Sequence, residues 1–117
     1  NSNAKGVYQG KIYVKDIAQK TDAYQLSKAL LLNDDTEFNS KPELEIYADD
    51  VKCSHGSTSG NVEEDSLYYL MTRGLSRKES LMLLINGFLN DIVDNIKSNT
   101  IKDFISSNLE KQIYEYK

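Results

Sequence analysis

The chain has 117 residues, with 14 Lys+Arg against 18 Asp+Glu and a formal net charge of −4. Such a length suits one domain or a piece of a larger one, and 39 % hydrophobic with 27 % charged residues excludes wholesale disorder. A single Cys and a single His exclude both an internal disulfide framework and a four-ligand metal site built from these two residues alone. The acidity argues against a nucleic-acid partner, and the apolar runs fall far short of a membrane span.

Residues 1–4, Asn1-Ser2-Asn3-Ala4, read as an expression-tag remnant rather than native sequence. Lys5-Gly6-Val7-Tyr8 carries no apolar leader-like run. From there to Gly60 the apolar pattern has period two. Ile12 and Val14 alternate with Lys11, Tyr13 and Lys15; Leu44, Ile46 and Ala48 alternate with Glu43, Glu45 and Tyr47. Val51, Cys53 and His55 alternate with Lys52 and Ser54. These are strands, each showing one face to a core. Asn33-Asp34-Asp35, Asn39-Ser40-Lys41-Pro42 and Asp49-Asp50 read as the turns between them, and Gly56-Ser57-Thr58-Ser59-Gly60 as a flexible connector. Ile12, Leu30 and Leu44 are too unevenly spaced to prove a repeat. On pattern alone an ordinary antiparallel sheet is the simplest arrangement, with a β-solenoid or small sandwich also fitting short strands between polar turns.

After Gly60 the period becomes helical. Asn61 with Glu64 predicts a helix start, Leu67, Leu70 and Met71 an apolar face, and Gly74 a C-terminal cap. Ser76-Arg77-Lys78-Glu79 reads as a capping box. Behind it Leu81, Leu84, Ile85, Phe88, Leu89, Ile92, Val93 and Ile96 keep helical spacing, predicting a long amphipathic helix over 76–97. Asn99-Thr100 opens a third helix with Ile101, Phe104, Ile105, Leu109 and Ile113 on one face. Both halves carry seven basic and nine acidic residues, so neither is a polyelectrolyte tail.

The densest chemistry lies in Asp49-Asp50-Val51-Lys52-Cys53-Ser54-His55-Gly56. In a strand, Cys53 and His55 share a face about 6.6 Å apart along the backbone. A thiolate with an imidazole is a good ligand pair for iron or zinc, but it leaves coordination positions open for a second chain. Two other readings stand beside it: both residues are packing groups, as a lone Cys usually is, or they form a nucleophilic pair.

These stretches together resemble the C-terminal part of the SufB/SufD family of iron–sulfur cluster assembly proteins. The resemblance rests on Gly10-Lys11-Ile12, Gln19 to Gln25, Leu30-Leu31-Leu32, Lys41 to Ile46, Ala48 to Gly56, and Leu67-Tyr68-Tyr69-Leu70 with Arg73-Gly74, in the family's order over roughly residues 6–97. It is closer to the SufD branch, because SufB proteins tend to carry glutamates where Ser54 and Gly56 stand. The resemblance implies the last turns of a right-handed parallel β-helix over 5–60 and a C-terminal helical subdomain over 61–117. It implies a non-enzymatic scaffold that meets a SufB-like paralogue through the β-helix end and a SufC-like ATPase through its helices. ATP-driven ATPase dimerisation would then move those helices and open the SufB interface.

Cys53 and His55 match the positions contributed at that interface, where an iron–sulfur cluster forms transiently; the chain by itself should bind no cofactor. Leu67, Leu70, Arg73, Gly74, Leu84 and Phe88 are the expected ATPase-side contacts. A shortened β-helix is further expected to self-associate over its open first coil. The richness in Asn, Lys, Ile and Tyr suggests an AT-rich genome, hence a bacterial cytoplasm or a plastid stroma.

Overall fold

The computed structural model describes residues 3–114, so residues 1–2 of the expected tag remnant and residues 115–117 of the expected helical subdomain lie outside the described residues. Four strands precede three helices, and the chain divides into two compact units after Asn61.

The first unit holds β1 (Lys5–Val14), β2 (Asp22–Leu31), β3 (Glu37–Ile46) and β4 (Lys52–Asn61), each of 10 residues. β1 pairs with β3 and β2 with β4, both in parallel and in unbroken register. The simple antiparallel sheet is therefore corrected. Antiparallel neighbours can be joined by a two-residue hairpin, whereas parallel partners need a crossover. Here β2 itself lies in the crossover from β1 to β3, and β3 in that from β2 to β4. Ile12 pairs directly with Leu44, and Val14 with Ile46, so residues unevenly spaced along the chain stand side by side in the ladder.

Two predicted breaks prove to be strand. Asn39-Ser40-Lys41-Pro42 lies inside β3, opposite Val7 to Gly10. Proline is tolerated on an edge strand, and β1 is the sole ladder neighbour of β3 among the described residues. Gly56-Ser57-Thr58-Ser59-Gly60 lies inside β4, opposite Leu26 to Leu30. Glycine and serine are poor strand formers, but pairing in a fixed ladder overrides local preference. Asn61 is accordingly the last rung of β4, opposite Leu31, and its amide donates to Asp34 at 3.0 Å.

The strand core is thin: among the described residues Val14 and Ala48 are its buried apolar side chains, and Ser27 is buried as well. The opposite face of β1 and β3 is a polar lattice. Lys5 meets Glu37 at 3.0 Å, Lys11 meets Glu45 at 2.7 Å, and Gln9 donates to Glu43 at 2.7 Å. Tyr13 and Tyr47 close the row edge to face, 5.7 Å between centroids. Such exposed pairs add little stability each, but they fix the same register as the core.

The second unit holds α1 (Glu64–Thr72), α2 (Arg77–Val93) and α3 (Asn99–Tyr114). The N-cap of α1 is Glu63, not Asn61, and its side chain makes no capping bond to the backbone. Gly74, at φ 96°, ends α1 in a Schellman motif: its N–H donates to Met71 and the Leu75 N–H to Leu70. The capping box at α2 is complete, with Ser76 accepting from the Glu79 N–H and Glu79 accepting from the Ser76 N–H at 2.8 Å. α2 ends at Val93, short of Ile96. The Ser98 carbonyl accepts the first turn of α3, from Lys102, one residue before the predicted Asn99-Thr100 start. Leu67, Ile85 and Val93 form the buried core of this unit, while Ile92, Ile101 and Phe104 of the predicted stripes are exposed. Among the described residues no helix is long and apolar enough to cross a membrane.

Candidate functional site

The position of Cys53 and His55 is set by the corners that lead into β2 and β4. Lys15–Thr21 forms the first corner, with Lys20 in the left-handed region at φ 64°. Its backbone N–H donates to Asp50 O at 2.6 Å, and the Lys52 N–H donates back to Thr21 O at 2.9 Å. The Gln19 side-chain oxygen accepts from the Asp50 N–H at 2.9 Å. One corner is thus bolted onto the next, and this leaves no freedom in the register of β4. Asp50 serves the corner through its backbone, and among the described residues neither Asp49 nor Asp50 joins a metal-holding group with Cys53 and His55.

Within that register Cys53 stands on Ala23 and His55 on Gln25. Strand alternation puts both on one face, as the spacing predicted. Cys53 is half-buried with a free thiol, and His55 is exposed. Among the described residues no three His, Cys, Asp or Glu side chains gather closely enough to hold a metal ion. The pair therefore offers two donors of different softness toward whatever lies against β4. The outer edge of β4, away from β2, has no ladder partner among the described residues.

The spacing did not reveal how the neighbouring residues of β2 stand against β4, Gln25 on the face of the pair and Tyr24 on the opposite one. The Tyr24 hydroxyl lies over Gly56, 2.7 Å from the point where a β-carbon would stand. Gln25, beneath His55, carries a buried amide nitrogen without a hydrogen-bond partner. Both lie in the polar run Gln19 to Gln25, which reads as solvated surface until its rung-by-rung pairing with β4 is known.

The predicted helical contacts separate into different roles. Leu67 is 2 % exposed and is a core residue. Gly74 is the helix cap described above. Leu70 and Leu84, with Asp65, Ser66 and Tyr69, line a groove of about 380 Å³ between α1 and α2. Arg73 stacks over the Tyr69 ring at 5.1 Å and donates to its hydroxyl at 3.3 Å, stiffening the rim. Phe88 is half-buried on α2 and does not line the groove. Across the two helices Arg77 grips Glu64 with two bonds of 2.7 and 3.0 Å, which holds that carboxyl below the usual glutamate range.

A family model described as the SufBD core domain of SUF-system FeS cluster assembly matches residues 1–88. The chain belongs to the SufBD family. It is 45 % identical over 93 residues to an iron–sulfur cluster assembly SufBD family protein of Synechocystis, covering 80 % of this chain and 20 % of that one. Over 103 residues it is 38 % identical to the chloroplastic protein ABCI7 of Arabidopsis thaliana, covering 88 % and 22 %. Over 113 residues it is 31 % identical to the iron–sulfur cluster assembly protein SufD of Escherichia coli, covering 97 % and 27 %. This SufBD chain thus spans about a quarter or less of the lengths of these relatives.

Proposed function

We propose that the chain is a SufD-type, non-catalytic scaffold element of iron–sulfur cluster assembly, with Cys53 and His55 as its contribution to a site completed by a SufB-type partner. The single observation that carries this reading is the pair's placement on one face of β4, a strand whose outer edge is unpaired among the described residues. Two donors are too few to hold a cluster, but they suit one face of a shared site, where the partner supplies the other ligands. The cluster is then cargo, formed and passed on, rather than a resident cofactor. The SufD assignment draws support from Gly56: a side chain here would have to displace Tyr24.

Under the same reading the two parallel ladders are successive rungs of a right-handed parallel β-helix. Supporting this are the pairing of each strand with the next but one and the bolted corners. The α1–α2 groove, with its Leu70 and Leu84 floor, is the docking surface for a SufC-type ATPase. Its compartment is a bacterial cytoplasm or a plastid, in keeping with the bacterial and chloroplastic relatives.

The decisive experiment replaces Cys53 and His55 together by Ala in the full-length protein within its complex. Cluster formation should fall at least tenfold while assembly of the complex is retained. Unchanged cluster formation with normal ATPase binding would leave the chain as an interaction module whose Cys and His merely pack.

A further inference from the structure

Among the described residues that line the α1–α2 groove, Asp65 alone carries a charge; Ser66, Tyr69, Leu70 and Leu84 make the rest of its wall. The neighbouring charged groups are already engaged within the chain. Arg77 is held by Glu64 through two bonds, the Glu63 carboxylate accepts from the Ser66 hydroxyl at 3.1 Å, and Arg73 is stacked on Tyr69. Asp65 is exposed and has no hydrogen-bond or ion-pair partner among the described residues. It stands in the first turn of α1, where the helix dipole favours an anion, and it shares the groove with an apolar floor.

We propose that this groove receives a partner segment bearing an apolar side chain flanked by an arginine or lysine, with Asp65 pairing the cation. The proposal rests on the reading of the groove as the ATPase-docking surface, and it names the chemistry that the docked segment must bring. A segment seated on Leu70, Leu84 and the Tyr69 ring takes water away from them, and takes it from Asp65 in the same step. An ionised carboxylate deprived of water without a partner is strongly unfavourable, so the occupant must supply the matching charge. The chain's own cations are no substitute: Arg77 would have to release Glu64, and Arg73 the Tyr69 ring. A neutral or acidic segment of the same shape leaves Asp65 covered and unpaired, and is rejected on that ground. The two leucines thus hold the occupant, whereas Asp65 selects it.

The experiment titrates the isolated SufC-type ATPase onto the full-length protein at rising NaCl concentration. Asp65→Asn, of nearly the same shape without the charge, should weaken binding about fivefold at low salt, as one partly exposed ion pair allows. The gap to wild type should close as salt screens the pair. Asp65→Glu keeps the charge and should bind close to wild type. Asp103→Asn removes an exposed charge from α3, outside the groove lining, and should change nothing. Unchanged binding by Asp65→Asn overturns the proposal. So does a loss that is the same at every salt concentration, which marks a structural defect, or an equal loss in Asp103→Asn, which marks net charge. If Leu84→Asp meanwhile abolishes binding, the docking surface stands and the ionic pairing alone fails. If Leu84→Asp binds normally, the docking reading falls and the proposal falls with it.

Discussion

The hydroxyl of Tyr24 rests over the backbone of Gly56, 2.7 Å from the place a β-carbon would take. The two residues belong to adjacent strands, on the face opposite Cys53 and His55. Gly56→Ala must push the phenol aside, and the energetic effect should depend on whether the phenol is there. In wild-type background the change is expected to be neutral or destabilising. In a Tyr24→Ala background it should stabilise by about 0.4–1 kcal/mol through reduced freedom of the unfolded chain. Urea denaturation of the four proteins in this cycle measures the coupling, and additive effects would mean that the phenol does not occupy this space.

Ser80 on α2 is fully buried, and its hydroxyl has no hydrogen-bond partner. A buried polar group left unmatched costs about 1–3 kcal/mol relative to an apolar one of the same shape. Ser80→Ala should therefore raise the thermal midpoint of the helical unit, an unusual outcome for a core substitution. A lower midpoint would show that the hydroxyl is satisfied by a bound water.

Leu67 and Leu84 are predicted to respond in opposite ways. Leu67→Ala empties a core site and should cost about 2–5 kcal/mol, read as loss of helical circular dichroism on mild heating. Leu84→Asp sits at the groove and should leave the fold nearly unchanged while abolishing ATPase capture in a pull-down. Retained capture by Leu84→Asp would remove the groove from the docking surface.

The helical unit should weaken as the pH falls through the acid range. Glu79 is held below the usual glutamate value by hydrogen bonds from the Ser76 hydroxyl and backbone, and Glu64 is held low by Arg77. A carboxyl with a depressed folded pKa contributes stability that is fully present above the ordinary value of 4.5 and is lost as pH falls through the folded one. Denaturation midpoints should hence drop below pH 4.5. Ser76→Ala should flatten that dependence and cost about 1 kcal/mol at neutral pH.

The helices were the easier half to read from residues alone. Ser76 to Glu79 and the Gly74 stop are local devices, complete within a few positions, and both appear as predicted. The α1 start was misplaced because Asn61, a good cap in isolation, is claimed by the ladder with Leu31. The strands were harder for a related reason. Pro42 and the Gly56–Gly60 run are held in strands by partners far along the chain, so local preference points the wrong way. Cys53 and His55 were visible as a pair because alternation is local. Gln25 and Tyr24 were not, since their relation to the pair exists only through pairing of β2 with β4.

The direct stacking of rung on rung also restricts how this sequence can vary over time. A single residue gained or lost within β2 or β4 would turn every later side chain of that strand to the other face, carrying His55 away from Gln25. Only even-numbered length changes keep the faces aligned, and the corner bolted through Lys20 and Asp50 leaves little slack to absorb an odd one. The turn at Asn33-Asp34-Asp35, between β2 and β3, is where length differences between homologues should collect.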